Sequence, residues 1–253
     1  MTTFEEEFEK FKPVVRRLSN FVLLGKKIQV TGEENFIQKG SNIIVGNHIG
    51  SFKDVATLCK IVPRPIFFTA NKMIFSKEEF NKLISIHLRR HMKNLSLFIE
   101  VLLGPIKSLF VDYISMKIEK VGSIPVDMKY KKKIAVEKIH EYLRKGRAII
   151  ALQGDGRVQA EYPHPYVTPF KRGTSIIAYS LMKEGISVPI TPLAFFGTHF
   201  PLMVPKKINV NVGRPMYISD YVREGRQDTI EAFRSALEEK VKELFHEIIR
   251  HPR

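Results

Sequence analysis

Short apolar runs rich in β-branched residues alternate along this chain with segments that carry apolar residues at helical spacing. The runs predict strands at residues 25–32, 41–46, 65–69, 123–126, 148–152, 188–196 and 208–212. The spacing predicts helices at residues 54–61, 131–144, 175–183 and 229–249. Strands that alternate with helices are typical of an α/β fold, here a single domain with a mostly parallel or mixed central sheet flanked by helices.

Two further segments have helical patterns of a different kind. Residues 4–23 place large apolar side chains on one helical face with basic residues close by, so they predict either a helix packed on the core or an amphipathic helix at a lipid interface. Residues 76–118 are basic first and apolar afterwards, which suits an interfacial hairpin, a lid over an acyl chain or extra core helices. We therefore divide the chain into an N-terminal amphipathic helical segment, residues 1–24, and an α/β domain, residues 25–253.

The chain is strongly basic, with a formal net charge of +15 over 253 residues. Such a surface attracts anionic lipid headgroups, phosphate-bearing substrates, acidic proteins or nucleic acid. A nucleic-acid partner is not expected, because the sequence offers no recognition motif or platform of basic and aromatic residues and has no tryptophan. The charge therefore favours an anionic membrane surface or a phosphorylated ligand as the partner.

The sequence also indicates a compartment. Cys59 is the only cysteine, so no intrachain disulfide can form, and its apolar neighbours are typical of a small core residue rather than a nucleophile. The first residues are acidic, unlike a signal peptide, and no stretch of 18 uncharged apolar residues occurs. We expect a cytoplasmic protein that lies on the inner face of a membrane without spanning it.

His48 is the strongest candidate for a catalytic side chain. It follows a buried apolar strand, and ligands of open α/β sheets bind where strands end. An imidazole titrates near neutral pH and can take a proton from a hydroxyl, provided that a carboxylate orients its other ring nitrogen. Asp54 is the nearby downstream carboxylate.

Further motifs follow Asn47-His48 along the chain. They are Phe68-Thr69-Ala70-Asn71-Lys72, Gly122-Ser123-Ile124-Pro125-Val126-Asp127, Gly154-Asp155-Gly156-Arg157, Phe170-Lys171-Arg172-Gly173, Val188-Pro189-Ile190-Thr191-Pro192-Leu193 and Val212-Gly213-Arg214-Pro215. In their order and spacing they resemble the motifs of the glycerolipid acyltransferases, the 1-acylglycerol-3-phosphate acyltransferase group. The resemblance covers roughly residues 25–216.

The resemblance implies an O-acyltransferase of phospholipid biosynthesis. His48 would deprotonate the hydroxyl of a lysophospholipid or glycerol-phosphate-type acceptor while Asp54 holds the ring, and the hydroxyl would attack the thioester of acyl-CoA or acyl carrier protein. No cofactor and no metal are implied. A phosphate-bearing substrate needs cations or backbone N–H groups. The predicted substrate-binding residues are Asn47, Lys72, Asp155, Gly156, Arg157, Lys171 and Arg172.

The sequence departs from the family pattern in three places. Five residues instead of four separate His48 from Asp54, and the family's aspartate position holds Lys53. A lysine cannot accept the imidazole N–H, so we expect Gly50 to absorb the extra residue and bring Asp54 into reach. Met128 stands where the second motif has arginine, and the third motif lacks its Glu-Gly-Thr form. These changes predict an acceptor other than plain lysophosphatidate.

Alternatives to this enzyme remain open. The first is a non-catalytic member of the same fold that binds lipid or acyl carrier protein, and it gains support if Asp54 cannot reach His48. A serine hydrolase is disfavoured because no Gly-X-Ser-X-Gly sequence occurs. A metal site is disfavoured because His87 and His91 have helical spacing but no obvious third ligand.

Overall fold

A computed structural model of the chain describes residues 12–13, 15–17, 19–82, 85, 123–126, 132–201 and 204–250. The chain divides into two compact units. The smaller comprises Met1–Lys12 and Phe67–Lys138, and the larger comprises Pro13–Ile66 and Ile139–Arg253. The predicted domain boundary after residue 24 stays a prediction.

The described strands and helices lie where the sequence patterns predict them, with ends that differ by at most three residues. The strands are β1 Lys27–Thr31, β2 Asn42–Asn47, β3 Ile66–Asn71, β4 Ser123–Val126, β5 Ala148–Gln153, β6 Ile190–Phe196 and β7 Lys207–Val212. The helices are α1 Phe52–Ile61, α2 Lys132–Arg144, α3 Gly173–Lys183 and α4 Arg226–Arg250. Short 3-10 helices occur at Glu33–Asn35, Lys72–Phe75 and Ile218–Tyr221.

The larger unit is built on a mixed sheet with the strand order β1-β7-β6-β2-β5. β2 is parallel to both β5 and β6, whereas β6 and β7 are antiparallel and β1 is parallel to β7. The predicted α/β fold with a mixed sheet flanked by helices is confirmed. Because β2, β5 and β6 run in the same direction, their carboxyl ends lie at one edge of the sheet.

The smaller unit contains one described strand pair. β3 and β4 are parallel, with Phe68 opposite Ser123 and Asn71 opposite Val126. Residues 77–82 and 85 are helical, in agreement with the predicted helical pattern, but residues 83–84 and 86–118 lie outside the described part. Its suggested roles, and the weighing of His87 and His91 as metal ligands, therefore stay predictions.

The core of the larger unit follows from the composition of its strands and of α4. Every residue of β2 is buried, as expected for a central strand of β-branched side chains. α4 buries Phe233, Leu237, Val241 and Leu244, whose helical spacing forms one apolar face, against β6 and β7. Among the described helices, none is both long and apolar enough to cross a membrane.

The N-terminal segment is helical where it is described. Residues 12, 13, 15–17 and 19–22 have helical backbone, which agrees with the predicted helix, and residues 4–11 lie outside the described part. Ser19 and Leu23 are buried, while Phe21 and Leu24 are 64% and 54% exposed. This segment therefore buries some of its side chains and presents large apolar side chains to solvent.

Candidate active site

Three strand ends of the larger unit supply the candidate site. β2 leads into His48, β5 leads into Gly154–Arg157, and β6 leads into Gly197 and Thr198. Since these strands are parallel neighbours, their following loops meet at the same edge of the sheet. The β5 loop fixes the main chain of the histidine: His48 N–H donates to Gln153 O at 2.7 Å, and Gly156 N–H donates to His48 O at 3.1 Å.

His48 and Asp54 form a hydrogen-bonded pair, with 2.8 Å between His48 Nδ1 and Asp54 Oδ2. The same oxygen accepts the backbone N–H groups of Ile49 at 3.0 Å and Gly50 at 2.8 Å. Asp54 is fully buried, so an ionised carboxylate is stable there only because several donors surround it. The carboxylate acts as an acceptor, which places the ring proton on Nδ1 and leaves the lone pair on Nε2.

The extra residue between His48 and Asp54 is absorbed by Ser51. Ser51 has φ 55° and ψ −129° and is the one non-glycine residue with positive φ in the described chain. The prediction that Gly50 absorbs the residue is wrong, because Gly50 is not among the glycines with positive φ. Gly50 is instead required for packing, since a Cβ there would lie 2.4 Å from Thr198 Cβ and 2.7 Å from Asp54 Oδ1.

Substitution of Ser51 by glycine is expected to raise the free energy of unfolding by about 1 kcal/mol. The strained backbone costs about 1–3 kcal/mol for a residue with a Cβ, and glycine removes this cost. Part of the stabilisation is offset because glycine loses more conformational freedom on folding. Ser51→Val is expected to lower the same free energy by about 1–2 kcal/mol, because β-branching worsens the strain. Urea denaturation of the three proteins measures both effects, and a less stable Ser51→Gly variant would contradict the strain.

Lys53 is bonded to the loop after β6. It is 8% exposed, and its Nζ donates to Phe200 O in the loop after β6. Burial lowers the pKa of Lys53, and the positive charge of Lys26 lowers it further, while Asp54 acts in the opposite direction. Lys26 donates to Pro201 O and Val204 O at 2.9 and 2.8 Å. The two lysines therefore tie the loop after β6 to the rest of the larger unit.

Cys59 lies in α1 and is partly buried, as a residue with apolar sequence neighbours is expected to be. Burial raises the pKa of its thiol to about 12. The thiol therefore stays protonated near neutral pH and is a poor nucleophile.

Asn47 and Gly156, both predicted to bind substrate, have different surroundings. Asn47 is fully buried, donating to Tyr166 O and Phe195 O and accepting from Phe195 N–H at 2.7 Å. Its amide is thus committed to the protein backbone beneath the site. Gly156 lies against the exposed side of the histidine, since a Cβ at this position would be 3.3 Å from His48 Nε2.

Four of the predicted charged residues are exposed and lie on the loop between β5 and α3, and Lys72 lies elsewhere. Arg157 pairs with Glu161 at 3.3 Å, and Arg172 pairs with Glu231 at 3.1 Å, both at the surface. Lys171 is anchored through its main chain, because its N–H donates to Gln153 Oε1 at 3.0 Å. Asp155 is exposed in the same loop as Arg157. Lys72 begins a 3-10 helix of the smaller unit, and its side chain lies outside the described part.

Sequence reasoning did not identify Thr198 as part of the site. Thr198 is fully buried and lies next to Gly50 and the Asp54 carboxylate. Its position directly after β6 could have indicated a place in the site, but only with the knowledge that β6 lies parallel to β2. His199 follows it, and its ring packs at T-shaped or tilted angles against Tyr166, Phe196 and Phe200. The pKa of His199 is lowered by burial and then by the charge of Lys53.

Comparison with known proteins identifies the family and the fold. The family model described as Acyltransferase matches residues 27–196, well over half of the chain. The fold is similar to the crystal structure of the 1-acyl-sn-glycerophosphate (LPA) acyltransferase PlsC from Thermotoga maritima, with a TM-score of 0.58 and 18% sequence identity over 98% of this chain and 84% of that one. No curated protein matches the sequence significantly. The chain therefore belongs to the acyltransferase family.

Proposed function

We propose that this protein transfers a fatty acyl group from acyl-CoA or acyl carrier protein to the hydroxyl of a lysophospholipid or glycerol-phosphate-type acceptor. His48 is the general base, and Asp54 orients it. The observation that carries the proposal is the 2.8 Å hydrogen bond between His48 Nδ1 and the fully buried carboxylate of Asp54. The similarity in fold to an LPA acyltransferase supports a glycerolipid acceptor.

The reaction uses the free ring nitrogen. His48 Nε2 takes the proton of the acceptor hydroxyl while the hydroxyl oxygen attacks the thioester carbonyl carbon. The C–S bond then breaks, an ester forms, and the imidazolium returns the proton to the departing thiolate. Asp54 stabilises the imidazolium that exists between these proton transfers.

Access to the ring nitrogen depends on Gly156. The His48 side chain is 24% exposed, and the absence of a side chain at position 156 keeps open the space 3.3 Å from Nε2. A general base must come within about 2.6–3.2 Å of the hydroxyl that it deprotonates. The acceptor hydroxyl is therefore expected to approach over Gly156.

The cationic residues on the loop between β5 and α3 are proposed to hold phosphate groups of the acceptor or of CoA. The ion pairs of Arg157 and Arg172 with glutamates are exposed, and such pairs contribute only about 0–1 kcal/mol, so a phosphate can compete with the carboxylates. Lys171 is proposed to act with them, and Asp155 to contact a donor group of the substrate. Lys72, in the smaller unit, stays a predicted substrate-binding residue. The exposed positions of Arg157, Arg172 and Lys171 support this role.

The function is tested by incubating the purified protein with acyl-CoA or acyl-loaded acyl carrier protein, and with a panel of lysophospholipids together with glycerol 3-phosphate. Mass spectrometry is expected to detect a new ester on at least one acceptor. The matched control is the same reaction with His48→Ala. Product formed equally with both proteins would remove the proposed base. Binding of the lipids without transfer from either donor would instead favour a lipid-binding member of the fold.

We also propose that the larger unit associates with anionic membranes, on the inner, cytoplasmic face. The net charge of +15 and the exposed side chains of Phe21, Leu24 and Phe52 support this. Sedimentation with vesicles is expected to be stronger for anionic than for zwitterionic lipid. A Phe21→Ser, Leu24→Ser double variant is expected to sediment less, and unchanged sedimentation would contradict this surface.

A further inference from the structure

The two oxygens of the Asp54 carboxylate have unequal surroundings. Oδ2 accepts three hydrogen bonds, from His48 Nδ1, Ile49 N–H and Gly50 N–H. Oδ1 is buried and has no hydrogen-bond partner in the described structure. A carboxylate oxygen buried without a donor costs free energy, so a nearby donor would stabilise the anion.

Thr198 offers such a donor. Its side chain is fully buried, and Thr198 Oγ1 also lacks a partner among the described residues. The hydroxyl carries one proton to donate and needs one acceptor. A buried acceptor without a donor and a buried donor without an acceptor thus belong to neighbouring residues.

Gly50 brings these two oxygens to the same place. A Cβ built on Gly50 would lie 2.5 Å from Thr198 Oγ1 and 2.7 Å from Asp54 Oδ1, so the two atoms flank one small space. A hydrogen bond between them requires a rotation of the threonine side chain or one bridging water. The glycine is therefore required because any side chain would separate the pair.

We propose that Thr198 is a positioning residue, whose hydroxyl donates to Asp54 Oδ1 and fixes the carboxylate against His48. This inference rests on the proposed function, because it concerns the same histidine and aspartate. With Oδ1 held, the carboxylate plane cannot rotate and the imidazole keeps Nε2 directed at the acceptor. Thr198 touches no reacting atom, so it acts only through Asp54.

The two lysines near Asp54 do not supply this donor. Lys53 Nζ is bound to Phe200 O, and Lys26 Nζ is bound to Pro201 O and Val204 O. His199 interacts electrostatically with Asp54 and has a buried Nδ1 without a described partner. Thr198 is the residue whose oxygen shares the space over Gly50 with Asp54 Oδ1, and the three groups above stay unchanged in the test.

The test compares Thr198→Val, which removes the hydroxyl and keeps the shape, with Thr198→Ser, which keeps the hydroxyl. We expect Thr198→Val to lower kcat on the order of ten-fold with little change in KM, and Thr198→Ser to retain most of the activity. The Thr198 O–H dipole stabilises the negative charge of Asp54. Without it, a protonated His48–Asp54 pair is favoured over the unprotonated pair. The acidic limb of the pH–rate profile is therefore expected to move to higher pH in Thr198→Val only.

Two further measurements need no substrate. The downfield proton resonance of His48 Nδ1–H, assigned by its absence in His48→Gln, is expected to weaken or move in Thr198→Val and to persist in Thr198→Ser. Thr198→Val is also expected to be less stable to urea, because it leaves Asp54 Oδ1 without a donor, whereas removal of an unbonded hydroxyl would stabilise the protein.

The outcomes separate the two proposals. A Thr198→Val variant that keeps the resonance and gains stability overturns the role of Thr198, and so does an equal loss of the resonance in both variants, which would indicate packing alone. If the unsubstituted protein transfers no acyl group, the proposed function fails, and the resonance and stability measurements still decide whether Thr198 holds Asp54.

Discussion

Replacement of His48 by alanine is expected to reduce acyl transfer by about three to four orders of magnitude, because the acceptor hydroxyl loses its base. The side chain is partly exposed, so its removal should leave the fold intact. Initial rates at saturating donor and acceptor measure the loss, and circular dichroism checks folding. A folded variant that keeps more than a tenth of the rate would contradict the proposed role.

Asp54→Asn is expected to cost about two orders of magnitude, less than the histidine variant. The N–H groups of Ile49 and Gly50 require an oxygen at the Oδ2 position, so the new amide should still accept from His48 Nδ1. What it loses is the negative charge that stabilises the imidazolium. Asp220→Asn, the same change on an exposed 3-10 helix, is the matched control and should leave the rate unchanged.

Gly197→Ala is expected to lower the free energy of unfolding by about 3 kcal/mol or more. Gly197 has φ 98°, and a Cβ there would lie 2.1 Å from the carbonyl oxygen of Lys207. The added Cβ is fixed to the backbone and the carbonyl of Lys207 is itself backbone, so neither can rotate away. The connection between β6 and β7 must therefore move. Urea denaturation measures the stability, and the displacement should also reduce activity in the folded fraction, since Thr198 follows directly.

Gly40→Ala separates the clash from the backbone strain. Gly40 has φ 84°, close to that of Gly197, but a Cβ at this position would have no atom of another described residue within 4 Å. Its substitution should cost only about 1–2 kcal/mol, the strain of a left-handed residue with a Cβ. Equal losses in the two variants would show that the close approach to Lys207 is not what limits position 197.

The strands and helices were predictable because their signals are local. The β-branched run at residues 42–45 and the apolar spacing of α4 determine period and burial within a few residues of sequence. The order of the motifs likewise predicted the acyltransferase family, which the family match and the fold confirm. The catalytic roles of His48 and Asp54 stay predictions, although the two side chains do meet.

Other features depend on contacts between distant parts of the chain. The antiparallel pairing of β6 with β7 is one, since both strands have patterns that suit either direction. The burial of Lys53 is another, because its acceptor, Phe200 O, lies 147 residues away. Neither the strand pairing nor the burial of Lys53 can be predicted from neighbouring residues. From the sequence, Lys53 is only the residue that occupies the family's aspartate position.

The sequence by itself determined the α/β class, the places of the strands and the histidine at the end of β2, because these depend on the chemistry of neighbouring residues. Only the tertiary structure decided how a six-residue step from His48 to Asp54 still forms a 2.8 Å hydrogen bond. The strain at Ser51 is held by packing around Gly50 and Gly156, and Thr198 enters the site only because β6 lies beside β2. The conformation of Ser51 and the place of Thr198 depend on contacts between strands and loops that are far apart in the sequence.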